Sequence, residues 1–116
     1  MSKMRIMHFK DGGYEVKNVD NELDTMHELV GGYIQTVYIA EDLILVCDDE
    51  GKLKKDAEPS LVLVNDKICD PIYNPCFIVS FRGADFRSLS NIQIERIKKS
   101  TFNINGTCFI KVWYFV

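Results

Sequence analysis

The sequence predicts an α+β fold, a mostly antiparallel sheet of about six to eight strands with two helices packed on one face. Three observations predict it. Asp11-Gly12-Gly13 and Asn105-Gly106 stand between short alternating runs, the strongest local signal for hairpins. Most other apolar runs are short, β-branched or aromatic, and bounded by turn residues. Only two segments, after Asp20 and after Leu89, switch to a helical period. The 116 residues, 47% apolar and 27% charged, fit one soluble domain spanning 1–116.

Met4–Phe9 reads as a strand and Tyr14–Val19 as its hairpin return. Asp20 or Asn21 is suited to cap a helix whose first turn holds Glu22 and Asp24. Leu23, Met26 and Val30, with Leu29 beside them, form its apolar stripe, and Gly31-Gly32 stops it. Tyr33–Ile39 and Leu43–Cys47 read as strands around an Ala40-Glu41-Asp42 turn. Asp48-Asp49-Glu50-Gly51 is a turn, read as solvated acids, and Lys52 leaves it. Leu61–Val64 fits a short strand or one helical turn; Pro71 and Pro75 bracket a loop before strand Cys76–Phe81.

The second helix has the clearest grammar. Ser90 and Gln93 make a capping box, Leu89 and Ile94 a hydrophobic staple, and Lys98-Lys99 suit the last turn. Thr101–Ile104 and Thr107–Val116 follow as strands, the latter ending on Trp113-Tyr114-Phe115-Val116 with no polar tail. A run as apolar as Phe109–Val116 is either a central strand or an edge that meets a second chain. A homo-oligomer, a dimer first, is the expectation.

Net charge is −3, which argues against a duplex nucleic-acid binder. Residues 15–58 carry 12 acids and 4 bases, and residues 59–116 carry 4 acids and 7 bases. The longest apolar runs are about five residues, against the roughly 20 of a membrane helix, so no membrane association is expected. Met1-Ser2-Lys3-Met4-Arg5 lacks the apolar core of a signal peptide. Reduced thiols and a cytoplasmic location are therefore expected. Cys47, Cys76 and Cys108 sit inside apolar runs and read as small buried hydrophobes. No cysteine pair has metal-ligand spacing, so no metal and no cofactor is expected.

Glu28-Leu29-Val30-Gly31-Gly32-Tyr33-Ile34, then Leu43–Cys47, then Asp48-Asp49-Glu50-Gly51-Lys52-Leu53 form an ordered series, continued by Asp70–Pro75 and Asp85-Phe86-Arg87-Ser88-Leu89-Ser90. This series resembles a small uncharacterised domain family carried by phages, prophages and conjugative elements of Gram-positive bacteria. The resemblance covers about residues 20–95. Asp48-Asp49 stands where the family pattern has Asn-Glu, and Asn74-Pro75 where it has glycine. The resemblance implies a mobile-element origin, and families so distributed often act in conflict with host defence, which sets the expectation of a role in the host bacterial cytosol. Some small phage proteins act there as sponges for nucleotide immune signals.

No catalytic residue is assigned. His8 and His27 read as structural, and no phosphate-loop, dinucleotide or zinc-protease motif is present. A ligand reading fits better. Arg82 and Arg87 flank Gly83 just before a helix start, and Lys52 follows Gly51. Guanidinium groups suit phosphate, and backbone donors near Gly83 or Ser90 could join them. Phe86, Tyr33 or Trp113 could stack on a base. The expected function is thus a non-enzymatic protein that sequesters a nucleotide-derived immune signal. The alternative is a protein–protein inhibitor that docks on a host defence enzyme through the acidic stretch 15–58.

Overall fold

A computed structural model describes residues 3–50, 59–66 and 69–115. Among them the order is β1 (Lys3–Lys10), β2 (Gly13–Asp20), α1 (Leu23–Val30), β3 (Ile34–Ala40), β4 (Leu43–Asp48), β5 (Leu61–Val64), β6 (Cys69–Ile72), β7 (Cys76–Arg82), β8 (Asp85–Arg87), α2 (Asn91–Ser100), β9 (Thr101–Ile104) and β10 (Thr107–Lys111). The fold is α+β, with ten strands among the described residues rather than six to eight.

The strands form two sheets. Six lie in the first, in the order β2-β1-β7-β4-β3 with β8 paired to the end of β7; all neighbours are antiparallel. Four lie in the second, in the order β6-β5-β10-β9, where β5 and β10 run parallel.

Alternation along the central strands feeds two cores. Phe77 and Val79 of β7 join Ile44, Val46, Met4 and Ile6 beneath α1, which adds Met26 and Val30. Cys76 and Ile78 join Met7, Phe9, Leu43 and Leu45 on the opposite face. There they meet Leu61, Leu63, Cys108 and Ile110 of the second sheet and Ile94 and Ile97 of α2. The helices therefore cover opposite faces of the large sheet, not one face as expected. A helical stripe says which side of a helix is apolar; it does not say which face of a sheet receives it.

Both expected hairpins form. Asp11 and Gly12 take φ of 53° and 79°, and Asn105 and Gly106 take 51° and 85°. These values suit a two-residue turn whose twist matches the flanking strands. The two turns also touch: a Cβ on Gly12 would lie 2.3 Å from the Gly106 carbonyl oxygen. Asn103 Nδ2 donates to the Gly12 carbonyl at 2.8 Å, so the two sheets are joined at their turns.

Ser90 caps α2 as expected: its Oγ accepts from Gln93 N–H at 3.1 Å while Gln93 Oε1 accepts from Ser90 N–H at 2.8 Å. Leu89 and Ile94 are both buried in the same core. The start of α1 differs from expectation. β2 runs on to Asp20, the N-cap is Glu22 with no side-chain cap bond, and Leu23 is 56% exposed. Gly31 ends this helix with φ 81°.

Three further corrections concern short elements. Pro71 lies within β6, an outer strand where a missing N–H is tolerated, rather than in a loop. Asp85–Arg87 is a strand folded back on β7 through Gly83-Ala84. Val112–Phe115 is a 3-10 turn rather than strand, and β10 lies between β5 and β9, so the C-terminal run is not a sheet edge.

His8 is buried, and its Nε2–H donates to the Leu29 carbonyl at 3.0 Å, joining β1 to α1. Burial lowers its pKa below 6.5; the Leu29 bond acts in the opposite sense, and Lys17 and Lys10 lower it further. The unfolded chain thus takes up this proton first. Stability contributed by neutral His8 is full above pH 6.5 and declines as pH falls below it. Denaturant titrations should show that decline in the native protein and a flatter profile in His8→Gln; equal profiles would remove His8 from the account.

The contact between turns gives a second expectation. Gly106 has a positive φ but open space around its Cβ position, whereas Gly12 has both a positive φ and the clash. Gly106→Ala should cost about 1–2 kcal/mol for backbone strain. Gly12→Ala should cost at least about 1 kcal/mol more, because a packed backbone must move. Equal losses by urea denaturation would mean that the turns do not bear on each other.

Candidate functional site

The β7–β8 hairpin carries four of the expected site residues. Ser80 pairs with Arg87, Phe81 with Phe86, and Arg82 with Asp85. Alternation puts Arg82 on the same face as Ser80, so Arg82 and Arg87 are diagonal neighbours, about 7–8 Å apart. Among the described residues neither forms an ion pair. Gly83, at φ 62° in the first position of the turn, supplies the conformation that closes the hairpin between them.

A groove of about 550 Å³ runs beside this face, walled by Glu41, Asp42, Ser80, Arg82, Gly83 and Arg87. Its acidic wall is the β3–β4 turn, held by Phe81 N–H donating to the Asp42 carbonyl at 3.2 Å. The Asp42 carboxylate accepts from Gln93 Nε2 at 2.8 Å and pairs with Arg96 at 3.5 Å. Gln93 Nε2 also donates to Ser80 Oγ at 3.0 Å. The amide matters here, since a glutamate at 93 could close the same capping box but would set a carboxylate against Asp42. Arg96 also stands over the Phe115 ring at 5.5 Å.

The other expected residues are elsewhere. Phe86 faces away from the groove and packs with Phe81 against the α1 core, so its ring is not a free platform. Tyr33 is 73% exposed at the Asp48 end of the sheet, with its ring edge-on to His27 at 5.7 Å. Six residues of β4 separate that end from Arg82, roughly 20 Å at strand rise. Trp113 is 43% exposed on the 3-10 turn and does not line the groove. Lys52 lies outside the described residues. Ser90 N–H is consumed by the capping box and Leu89 N–H by the Arg5 carbonyl at 2.9 Å, so neither is a donor for a ligand.

Four contributors were not singled out in the sequence: Glu41, Asp42, Arg96 and Phe115. Gln93 and Arg96 stand three apart on α2, the spacing that lets both reach one carboxylate, and this was the available signal.

The other end of the sheet is a packing unit. Asp48 is buried, contrary to its reading as a solvated turn acid. Its carboxylate accepts from Glu50 N–H at 3.0 Å and from the Asn74 side chain. A Cβ on Gly32 would lie 2.7 Å from its Oδ1, so this close approach requires glycine. Asn74 holds φ 64°, a left-handed conformation that asparagine adopts more readily than most residues. Its carbonyl accepts from the buried Ser60 Oγ, which also lies 3.2 Å from the Ile72 carbonyl oxygen and 3.5 Å from Cys76 Sγ. Burial pushes the Cys76 thiol up to about 12, which leaves it a poor nucleophile.

Cys47, Cys76 and Cys108 are buried, as expected, and Cys69 is exposed. No group of three metal-ligating side chains occurs among the described residues, and no described helix is long and apolar enough to cross a membrane. Neither a curated protein nor a solved structure matches the chain. Residues 4–101, from β1 to the first residue of β9, match the family defined as a domain of unknown function, DUF3846, and the chain belongs to that uncharacterised family.

Proposed function

We propose that the protein is a non-catalytic binding module of a mobile genetic element, which takes up a phosphate-bearing nucleotide signal of host immunity and keeps it from its effector. The observation that carries this reading is the Arg82–Arg87 pair. Two guanidinium groups share one face of a two-residue hairpin, with no ion partner among the described residues. Like charges so placed repel, and an anion between them reverses the sign of that energy. The mobile-element setting rests on the resemblance of the sequence blocks.

The way two reactive groups are used supports the non-catalytic part of the reading. His8 is committed to the Leu29 carbonyl, and the Cys76 thiol is held protonated in the core. The acidic stretch 15–58 gives less support to an inhibitor that docks by charge. Asp20 pairs with Lys3 at 2.6 Å, Asp42 with Arg96, and Asp48 is buried. The groove lies within one chain, so the reading does not depend on the expected homodimer.

Calorimetric titration with cyclic dinucleotides and cyclic ADP-ribose isomers tests it. At least one should bind, and Arg82→Ala should weaken it about tenfold or more. The thermal midpoint should stay nearly unchanged, because Arg82 is exposed and forms no ion pair with a described residue. If no compound binds better than millimolar, the reading fails and the protein-inhibitor reading replaces it.

A further inference from the structure

The arginine groove does not end at the β3–β4 turn. A second hollow of about 500 Å³ adjoins it, sharing Glu41 and Asp42 as walls and adding Ile39, Ala40, Arg96 and Phe115. The contacts are continuous along this path. Phe81, next to Arg82, bonds the Asp42 backbone; the Asp42 carboxylate pairs with Arg96; and Arg96 lies over Phe115.

Arg96 is the unusual member of this series. Its guanidinium is oriented by two partners, the Asp42 carboxylate at 3.5 Å and the Phe115 ring at 5.5 Å, yet its side chain remains 37% exposed. An arginine held between a carboxylate and an aromatic ring is a preorganised planar surface, since little further side-chain freedom is lost when a second planar group arrives. Phe115 packs against the core and is half-buried, while the Arg96 side chain keeps its exposure.

The polarity of the joined groove matches a nucleotide along its length. Arg82 and Arg87 present two positive charges at one end. Glu41, exposed in the middle, is an acceptor for sugar hydroxyls. Arg96 presents a flat cation at the other end, whose own charge is balanced by Asp42. Building on the phosphate reading above, we infer that Arg96, backed by Phe115, is the nucleobase platform of the site, with the ribose lying across Glu41 and the phosphate on Arg82 and Arg87. The ligand class is then a ribonucleotide with a free sugar hydroxyl and an accessible base.

Adenosine monophosphate and ribose 5-phosphate differ by the base alone, and their comparison tests the platform. Calorimetric titration of the intact protein should show adenosine monophosphate binding about tenfold or more tightly, as one stacked base contributes. Arg96→Lys keeps the charge and removes the flat fork. It should bring adenosine monophosphate down to the level of ribose 5-phosphate and leave ribose 5-phosphate unchanged. Phe115→Leu should act in the same direction. Arg82→Ala should weaken both compounds alike. Equal binding of the two compounds, or a difference that survives Arg96→Lys, overturns the platform and leaves the phosphate reading standing. Binding of neither compound overturns the platform, while the phosphate reading stands or falls on the cyclic dinucleotide and cyclic ADP-ribose titration.

Discussion

β7 has water on neither face and a neighbour along each edge. Cys76 to Ser80 are all buried, with β4 on one side and β1 followed by β8 on the other. Its alternate side chains supply both cores, Phe77 and Val79 toward α1, Cys76 and Ile78 toward the second sheet. A strand so placed cannot slip by one residue without exchanging the two cores. Each buried Phe, Ile or Val contributes about 1.5–3 kcal/mol, so register and stability are set by the same few residues. The large sheet, the position of α1 and the docking of the second sheet all follow from it.

The candidate site lies where this constraint ends. Beyond Ser80 the strand leaves the core, and Arg82 and Arg87 are exposed on a hairpin whose opposite face, the Phe81–Phe86 pair, packs beneath. The groove opposite is positioned by Gln93, which ties the capping box of α2 to Ser80 and Asp42 at once. A helix start, a strand end and a turn are thus referenced to one amide. This gives the exposed arginines a rigid counter-wall without requiring them to stabilise the fold.

Local chemistry was legible where a single residue type is demanded by backbone geometry. Asp11-Gly12 and Asn105-Gly106 announced their hairpins because both central positions need positive φ. Ser90 with Gln93 announced α2 because the box satisfies two orphan donors. The start of α1 misled because Asp20 is the better capping residue, yet it is held in β2 opposite Lys3. Trp113 to Phe115 have strand propensity, but β10 ends at Lys111 and the chain turns to lay Phe115 under Arg96. β6 and β8 were hidden by Pro71 and by brevity; β8 forms on the open edge of the longer β7, and β6 pairs residue for residue with the equally short β5.

Of the candidate site, the arginines and Gly83 were legible because they are adjacent in sequence. Arg96, Glu41 and Phe115 were not, since only the tertiary fold brings α2, the β3–β4 turn and the C-terminal turn together. β7 organises the molecule, and the arginine hairpin is separable from it. Native-state amide hydrogen exchange tests this directly. Bonded amides of Phe77 to Val79 and of β4 should exchange only through global unfolding, while those of Asp85 and Arg87 open at a lower free energy. Equal protection of β8 and β7, or faster exchange in β7 than in β2, would contradict the account.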